Sequence, residues 1–229
     1  MIGCLVIHGY TGGPYELEPL TDFLKEKTNW IIQVPILPGH GKNLSLEDKT
    51  YDEWLDAAEH ALHQMREKCN EIYVIGFSMG GMIAAYLAAK HHVDKLVLLA
   101  PAGKYLSFKH LFAEVTDMLK DAVRGKINKN RFYLHYKRKW GTIPLRANIE
   151  FMKLIHATKK YLKSVQSPVL IAQGQLDSMV PYKTAYYLDK EIASNEKEVI
   201  FFEKSKHLIC HGSDQEVLIK MVHQFLTKT

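Results

Sequence analysis

Short apolar runs alternate with longer amphipathic stretches along most of the 229-residue chain. The apolar runs are nearly continuous in Val, Ile and Leu, which is typical of strands that are covered on both faces. They predict strands at 2–7, 30–34, 72–76, 95–100, 168–173 and 198–203. Apolar positions at helical spacing predict helices at 15–27, 51–68, 79–91, 147–163, 182–192 and 213–227. The alternation predicts an α/β fold, with a mostly parallel sheet of about six strands and helices on both faces.

One long interval interrupts this alternation. Some 67 residues separate the fourth and fifth predicted strands, which is far more than one crossover helix requires. The helix predicted at 147–163 would complete the crossover, so we interpret residues 102–146 as an insertion. The core of the protein would then consist of residues 1–101 and 147–229.

The composition excludes several classes of protein. Hydrophobic residues make up 47% and charged residues 24% of the chain, which is ordinary for a globular domain and excludes a disordered or collagen-like protein. No run approaches the ~20 apolar residues of a membrane span, and the N-terminus lacks the basic start and cleavage site of a signal peptide. Three widely spaced cysteines, Cys4, Cys69 and Cys210, indicate neither a disulfide framework nor a metal site. We therefore expect a cytoplasmic protein.

The net charge is only +5, but basic residues are concentrated in one segment. Residues 122–149 contain no acid and eight bases, which leaves −3 for the rest of the chain. Such a segment can be a solvated surface, or a patch that makes weak contact with an anionic lipid surface. It is also the only feature that suggests nucleic acid, so we expect no nucleic-acid partner.

The strongest local motif is Gly-Phe-Ser-Met-Gly at 76–80, which has the form G-x-S-x-G. It follows a predicted strand directly and opens a predicted helix, as a nucleophile elbow does. A sharp strand-to-helix turn strains its corner residue, and the flanking glycines let neighbouring backbone approach closely. The Ser78 hydroxyl would then stand at the helix N-terminus, where the dipole favours negative charge. The motif predicts that Ser78 is a nucleophile; the alternative is a glycine-rich packing turn that happens to hold a serine.

A serine hydroxyl is a weak nucleophile, so the chain must also supply a base and an acid that orients it. Of the twelve histidines, His207 lies just beyond the last predicted strand, at the sheet edge where α/β proteins bind ligands. His211 is the second candidate for the base. Asp177 follows the fifth predicted strand and reaches the same edge, although it could instead be a turn residue or a helix cap. We predict that Ser78, His207 and Asp177 are the catalytic residues.

An oxyanion hole needs two backbone N–H donors. We expect one from Met79, which directly follows the candidate nucleophile. We expect the other from Tyr10, in the loop after the first predicted strand, where a His-Gly pair turns the backbone towards the site. His8 of this pair could be a second catalytic histidine, but we interpret it as a residue that braces the loop by hydrogen bonds.

These motifs resemble those of the α/β-hydrolase superfamily and, within it, those of the small bacterial carboxylesterases related to monoacylglycerol lipases. The matching segments are His8-Gly9, Pro38-Gly39-His40-Gly41, Gly76-Phe77-Ser78-Met79-Gly80-Gly81, Gly174-x-x-Asp177 and Ser205-Lys206-His207. The chain order of Ser78, Asp177 and His207 is also that of the superfamily. The sequence departs from the family in one respect. The family often has one or two strands before the strand that ends in His-Gly, and here we expect no room for them.

The resemblance implies that the insertion at 102–146 is a helical cap over an acyl pocket. We expect Phe108 and Phe112 of the cap, together with Val180 and Leu208 of the core, to line this pocket. It also implies a reaction that needs neither a metal ion nor an organic cofactor.

Together, these observations predict a serine hydrolase that cleaves carboxylic esters through an acyl-enzyme. The expected partner is a small-molecule ester with a short to medium acyl chain, or a monoacylglycerol. The elbow does not separate esters from amides, lactones, thioesters or carbon–carbon bonds, since all pass through similar oxyanions. A non-catalytic binding protein on the same scaffold is the alternative from another class.

Overall fold

The computed structural model describes residues 1–103 and 143–228. The strands in these ranges are β1 Ile2–Ile7, β2 Ile31–Gln33, β3 Glu71–Phe77, β4 Lys95–Leu99, β5 Val169–Gly174 and β6 Lys197–Phe202. They form one sheet in the order β2-β1-β3-β4-β5-β6, and every neighbouring pair is parallel. The predicted α/β fold with a parallel sheet of about six strands is confirmed.

The helices of the described ranges connect these strands. They are α1 Glu18–Lys27, α2 Tyr51–Arg66, α3 Met79–Lys90, α4 Leu145–Lys159, α5 Lys183–Glu191 and α6 Gln215–Thr227. The start of α2 is fixed by a capping box, in which the Thr50 side chain accepts from the Glu53 N–H and the Glu53 carboxylate accepts from the Thr50 N–H. No helix in the described ranges has both the length and the apolar character needed to cross a membrane.

Two helices differ from their predicted extents by more than two residues at one end. The helix predicted at 15–27 is divided into a 3-10 turn at Pro14–Glu16 and helix α1. The division has a physical cause, because Pro19 at the start of α1 lacks the N–H that would continue an earlier helix. The helix predicted at 147–163 is observed as α4, which begins directly after Pro144, and a separate 3-10 turn at Leu162–Ser164.

The sheet is buried on both faces, which explains the near-continuous apolar runs of its strands. Alternate residues of a strand point to opposite faces. On one face, core residues such as Leu5 and Leu98 pack with residues from α2, α3, α4 and α5. On the other face, residues such as Val6 and Leu99 pack with residues from α1 and α6. Cys4, Cys69 and Cys210 are all buried, and none of them forms a disulfide.

The parallel arrangement places the candidate site at one edge of the sheet. Because all six strands run in the same direction, the loops after β1, β3, β5 and β6 leave the sheet at its carboxyl edge. These four loops carry the predicted site residues of the core. The predicted insertion at 102–146 lies almost entirely outside the described residues, so its boundaries and its role as a cap stay predictions.

Candidate active site

The turn between β3 and α3 holds Ser78 in a strained conformation. Its dihedral angles are φ 53° and ψ −115°, in a region that residues with a side chain rarely adopt. The turn is held by the surrounding backbone. Ser78 donates its N–H to the Leu99 carbonyl at 2.9 Å, and its own carbonyl accepts from the N–H groups of Gly81 and Ala102, both at 3.0 Å. Such fixation is what lets a strained corner persist in the folded protein.

The two glycines of the motif are needed for space. A Cβ atom on Gly76 would lie 2.2 Å from the Gly80 carbonyl oxygen, and one on Gly80 would lie 2.3 Å from the Ile7 carbonyl oxygen. Real Cβ atoms do not approach backbone oxygens so closely. The second contact also shows that the end of β1 lies against the first turn of α3. The loop after β1 therefore begins beside the Ser78 turn.

The structure brings Ser78, His207 and Asp177 together in one chain of hydrogen bonds. The distance from His207 Nε2 to Ser78 Oγ is 3.0 Å, and that from His207 Nδ1 to Asp177 Oδ2 is 2.8 Å. A carboxylate only accepts, so Nδ1–H donates to Asp177, and Nε2 is left to accept from the Ser78 hydroxyl. The three side chains are buried, with 5–7% of each residue exposed. The arrangement allows the histidine to take the hydroxyl proton.

Asp177 is held from both of its carboxylate oxygens. Oδ1 accepts from the backbone N–H of Met179 at 3.0 Å and of Val180 at 2.8 Å. Oδ2 accepts from the side-chain amide of Gln173 at 2.9 Å as well as from His207. Asp177 is therefore also a turn residue, since the same carboxylate orders its own turn and contacts the histidine.

The loop that carries His207 is anchored to the loop that carries Asp177. Ser205 accepts the Leu176 N–H at its carbonyl oxygen at 3.1 Å, and a Cβ atom on Gly174 would lie 2.3 Å from the same oxygen. The Ser205 hydroxyl in turn donates to Asp214 Oδ2 at 2.9 Å. These contacts fix the position of His207 relative to Asp177.

His211, the second candidate for the base, is directed elsewhere. Its Nε2 lies 3.1 Å from the carbonyl oxygen of Tyr15, to which it donates. Burial lowers the pKa of the His211 imidazole, so this side chain is neutral at physiological pH. The structure does not bring it to Ser78.

The loop after β1 is braced by His8, as predicted for that residue. His8 Nε2 accepts from the Leu37 N–H at 3.1 Å, so Nδ1 carries the proton and donates to the Gly9 carbonyl at 2.9 Å. The buried carboxylate of Glu16 accepts from the Gly9 N–H at 2.9 Å. His8 and Gly9, the two residues before Tyr10, are therefore both held by hydrogen bonds.

The segments that carry Tyr10 and Met79, the predicted backbone donors, are held in different ways. Met79 is the first residue of α3, where an N–H has no acceptor within the helix. The Tyr10 ring stacks on Phe151 of α4, with ring centres 4.6 Å apart and planes 7° apart, and its hydroxyl donates to Asn148 Oδ1 at 3.0 Å. The side chain of Tyr10 thereby holds the segment whose N–H is the expected donor.

Three residues of the site were not found by sequence reasoning, namely Gln173, Glu16 and Asn148. Gln173 had a visible signal, because it is a polar residue in the otherwise apolar run Val-Leu-Ile-Ala-Gln-Gly of β5. Glu16 and Asn148 had none, since their contacts with Gly9 and Tyr10 join positions that no motif relates.

The predicted pocket residues are only partly within the described ranges. Phe108 and Phe112 lie outside the described residues. Val180 is 1% exposed and packs in the core beside α5, while Leu208 is half-buried against the opposite face of the sheet. Their role as pocket walls stays a prediction. Within the described ranges, no three His, Cys, Asp or Glu side chains lie close enough to hold a metal ion.

Comparison with known proteins places the chain in a family. The model of the Hydrolase_4 family, described as serine aminopeptidase, S33, matches residues 4–214. The thermostable monoacylglycerol lipase of Bacillus sp. (strain H-257) is 27% identical over 99% of this chain and 91% of its own length. The carboxylesterase of Bacillus subtilis (strain 168) is 19% identical over 98% of this chain and 92% of its own length.

Solved structures show the same fold. A structure from the metagenome-derived lipolytic enzymes LipS and LipT superposes with a TM-score of 0.81 at 22% identity, covering 100% of this chain and 94% of its own. The monoacylglycerol lipase of Paleococcus ferrophilus superposes with a TM-score of 0.73 at 16% identity, covering 98% and 93%. Because the family model spans most of the chain and the fold agrees, the chain belongs to the Hydrolase_4 family and is an enzyme of the α/β-hydrolase superfamily.

Proposed function

We propose that this enzyme is a serine hydrolase that cleaves carboxylic esters with short to medium acyl chains, or monoacylglycerols, with Ser78 as its nucleophile. The observation that carries the proposal is the chain of hydrogen bonds from Ser78 through His207 to Asp177, built on a strained strand-to-helix corner. The names of the relatives, a monoacylglycerol lipase and a carboxylesterase, support an ester as the bond that is cleaved.

The first half of the reaction follows from the direction of these hydrogen bonds. Ser78 Oγ attacks the ester carbonyl carbon while His207 Nε2 takes the hydroxyl proton. The carbonyl π electrons move to oxygen and form a tetrahedral oxyanion. Asp177 accepts from Nδ1–H throughout, so it keeps the imidazole in the required tautomer and stabilises the imidazolium. When the intermediate collapses, the C–O bond of the ester breaks and His207 returns the proton to the leaving alcohol.

The second half uses the same groups with water in place of the serine. His207 Nε2 takes a proton from water, whose oxygen attacks the acyl-enzyme carbonyl. Collapse of this second oxyanion breaks the bond to Ser78 Oγ, which regains its proton, and releases the carboxylic acid. The N–H groups of Tyr10 and Met79 are the proposed donors to both oxyanions. A donor of this kind contributes about 10²–10³ in rate, since it is already oriented when the charge develops.

The family description names a peptidase, so the bond must be tested against an amide. The test is hydrolysis of p-nitrophenyl butyrate and of the p-nitroanilide of butyric acid, with monoacylglycerols measured alongside. We expect turnover of the esters and little turnover of the anilide. Faster cleavage of the anilide would replace the proposal by an amidase or peptidase function, and no turnover of any substrate would favour a binding protein.

The role of Ser78 is tested by labelling. A fluorophosphonate should label the enzyme once, at Ser78, and Ser78→Ala should lose both the label and ester turnover. Ser213→Ala is the matched control, because Ser213 is an exposed serine on the loop after β6 and is not part of the proposed triad. Labelling of another residue, or near-normal turnover by Ser78→Ala, would refute the mechanism.

The cap is a separate part of the proposal. If residues 102–146 cover the acyl pocket, Phe108→Ala and Phe112→Ala should change the preference for acyl length more than they change kcat for a short ester. A uniform loss of stability with an unchanged preference would instead mean that the two side chains only hold the segment together.

The basic segment gives a proposed lipid contact. Binding to anionic vesicles should be measurable at low salt and should weaken as salt rises, because exposed charges are screened within about 8 Å at physiological ionic strength. Charge reversal at Lys137, Arg138 and Lys139 should weaken binding without changing hydrolysis of a soluble ester. Equal binding to neutral vesicles would exclude this contact.

A further inference from the structure

Gln173 is a buried polar residue at the end of β5, and its side chain contacts the acid of the proposed triad. None of its surface is exposed. The amide nitrogen lies 2.9 Å from Asp177 Oδ2 and 3.0 Å from the Val180 carbonyl oxygen, with a longer contact of 3.4 Å to the Gly174 carbonyl oxygen. All three neighbours are acceptors. The group that faces them must therefore be the NH₂ of the amide, because the carbonyl would be repelled in that orientation.

The other end of the same amide is unfavourably placed. Gln173 Oε1 is buried and has no hydrogen-bond partner among the described residues. A buried acceptor without a partner costs stability, and such groups call for an explanation. The neighbouring positions of β5, including Ile171 and Ala172, are filled by apolar side chains without this cost. A glutamine at this position is therefore not explained by packing, and its two donated hydrogen bonds are what distinguish it from an apolar residue.

The donated bond completes the set of contacts that fixes the carboxylate. Asp177 Oδ1 is held by two N–H groups of its own loop, those of Met179 and Val180. Oδ2 is held by His207 and by Gln173, and of these only Gln173 belongs to a central strand of the sheet. Without the amide, the oxygen that receives His207 Nδ1–H would be anchored to the loops alone. Rotation of the carboxylate would then turn the imidazole away from Ser78.

We propose that Gln173 is a positioning residue, which anchors the Asp177 carboxylate to β5 and so holds the His207 imidazole in line with Ser78. The proposal rests on the proposed function of the triad. The hydrogen bonds of the Gln173 side chain go to Asp177, Val180 and Gly174 and not to Ser78 or His207, so it acts through Asp177. Its loss should therefore slow the chemical steps and leave substrate binding unchanged.

The test compares Gln173→Met with a matched control. Methionine has nearly the volume of glutamine but no N–H donor. The control is Gln175→Met, the same replacement two residues further along, where the side chain is exposed. For p-nitrophenyl butyrate we expect kcat of Gln173→Met to fall about tenfold with KM unchanged, and both constants of Gln175→Met to stay at their original values. Equal kcat values for the two variants would overturn the proposal.

A double-mutant cycle tests whether the effect passes through Asp177. In the Asp177→Ala background the Gln173→Met replacement should have no further effect, because the group that it positions is gone. The same loss of kcat in both backgrounds would overturn the proposal. The low-field ¹H NMR signal of His207 Nδ1–H gives a second readout. It should shift or broaden in Gln173→Met and remain unchanged in Gln175→Met.

Two controls keep the outcomes separate. If Gln173→Met does not fold, Gln173→Asn retains a polar amide but is one methylene too short to reach Asp177. It should show the same loss of kcat, and normal kcat in that variant would overturn the proposal. If Ser78→Ala is inactive and Gln173→Met is fully active, only the role of Gln173 is wrong. If Ser78→Ala remains active, the proposed function itself is wrong.

Discussion

Two loops at the carboxyl edge of the sheet each carry a buried histidine, and the two histidines have different partners. His8, in the loop after β1, contacts backbone groups with both ring nitrogens, the N–H of Leu37 and the carbonyl of Gly9. His207, in the loop after β6, contacts side chains with both, Asp177 and Ser78. Both residues are 5% exposed or less, so burial does not distinguish them.

The difference lies in what a proton transfer would require. His8 Nε2 already accepts a backbone N–H, so protonation of this nitrogen would break the bond that holds Leu37. His207 Nε2 accepts from a hydroxyl, which is a group that can give up its proton to the ring. Position at the carboxyl edge of the sheet is therefore not enough to identify the base. The group that bonds to Nε2, a backbone N–H or a hydroxyl, distinguishes the two histidines.

Buried carboxylates show the same contrast. In the loop after β1, Glu16 accepts the Gly9 N–H, and a Cβ atom on Gly12 would lie only 1.9 Å from Glu16 Oε2. The backbone thus folds closely around this carboxylate. Asp177 also orders its own backbone, but its second oxygen is directed to an imidazole. Glu16 holds the backbone of the loop after β1, whereas Asp177 contacts the imidazole that is the base in the proposed mechanism.

The largest expected effect is the difference in kcat between His207→Ala and His8→Ala. His207→Ala should lower kcat for p-nitrophenyl butyrate by about 10⁴- to 10⁶-fold, because the base of the triad is removed. His8→Ala should retain most of the activity of its folded fraction. The folded fraction of each variant, measured by circular dichroism, corrects kcat for unfolded protein. A larger loss in His8→Ala than in His207→Ala would reverse the two assignments.

Replacement of the Asp177 carboxylate should lower kcat much more than replacement of the Glu16 carboxylate. Asp177→Asn should lower kcat by about 10⁴-fold, since an amide lets the imidazole adopt the tautomer that cannot accept from Ser78. Glu16→Gln is the matched control and keeps an acceptor for the Gly9 N–H. It should change kcat far less than Asp177→Asn. Comparable losses of kcat in the two variants would show that the loop after β1 takes part in catalysis as directly as the loop after β5.

The positions of the proposed catalytic residues could be predicted from the sequence, because they depend on where the strands end. Ser78 directly follows β3, and Asp177 and His207 lie in the loops after β5 and β6; parallel strands bring such residues to one edge of the sheet. The contacts that support them could not be predicted in the same way. Tyr10 and Asn148 are 138 positions apart in the chain, and their hydrogen bond depends on how α4 packs over the loop after β1. Packing of this kind is a property of the folded core and leaves no local pattern.

Removal of the His8 side chain from the loop after β1 should lower the stability of the protein. His8→Ala leaves the buried Leu37 N–H without its partner, whereas the Gly9 carbonyl still accepts from the Gly12 N–H at 3.2 Å. We expect the free energy of unfolding to fall by about 1–3 kcal/mol, which is the cost of leaving one buried group unpaired. Urea unfolding at neutral pH measures the change. A fall of less than about 0.5 kcal/mol would mean that His8 does not brace the loop.

The smallest effect is expected for His211, which lies close to His207 in the chain but bonds to the Tyr15 carbonyl. His211→Ala should leave kcat unchanged and lower the free energy of unfolding by about 1 kcal/mol at pH 7.5, through the loss of that hydrogen bond.

The stability that His211 contributes should depend on pH. Burial lowers the pKa of His211 below its ordinary value of 6.5, so below pH 6.5 the unfolded chain binds a proton more readily than the folded protein does. The stability contributed by His211 should therefore be complete above about pH 6.5 and decrease as the pH falls below it. Urea unfolding of both proteins at pH 7.5 and pH 5.5 should show the difference between them shrinking at the lower pH. A difference that grows at pH 5.5 would mean that His211 is stabilised in its charged form, and a loss of kcat by several orders of magnitude would make it the base in place of His207.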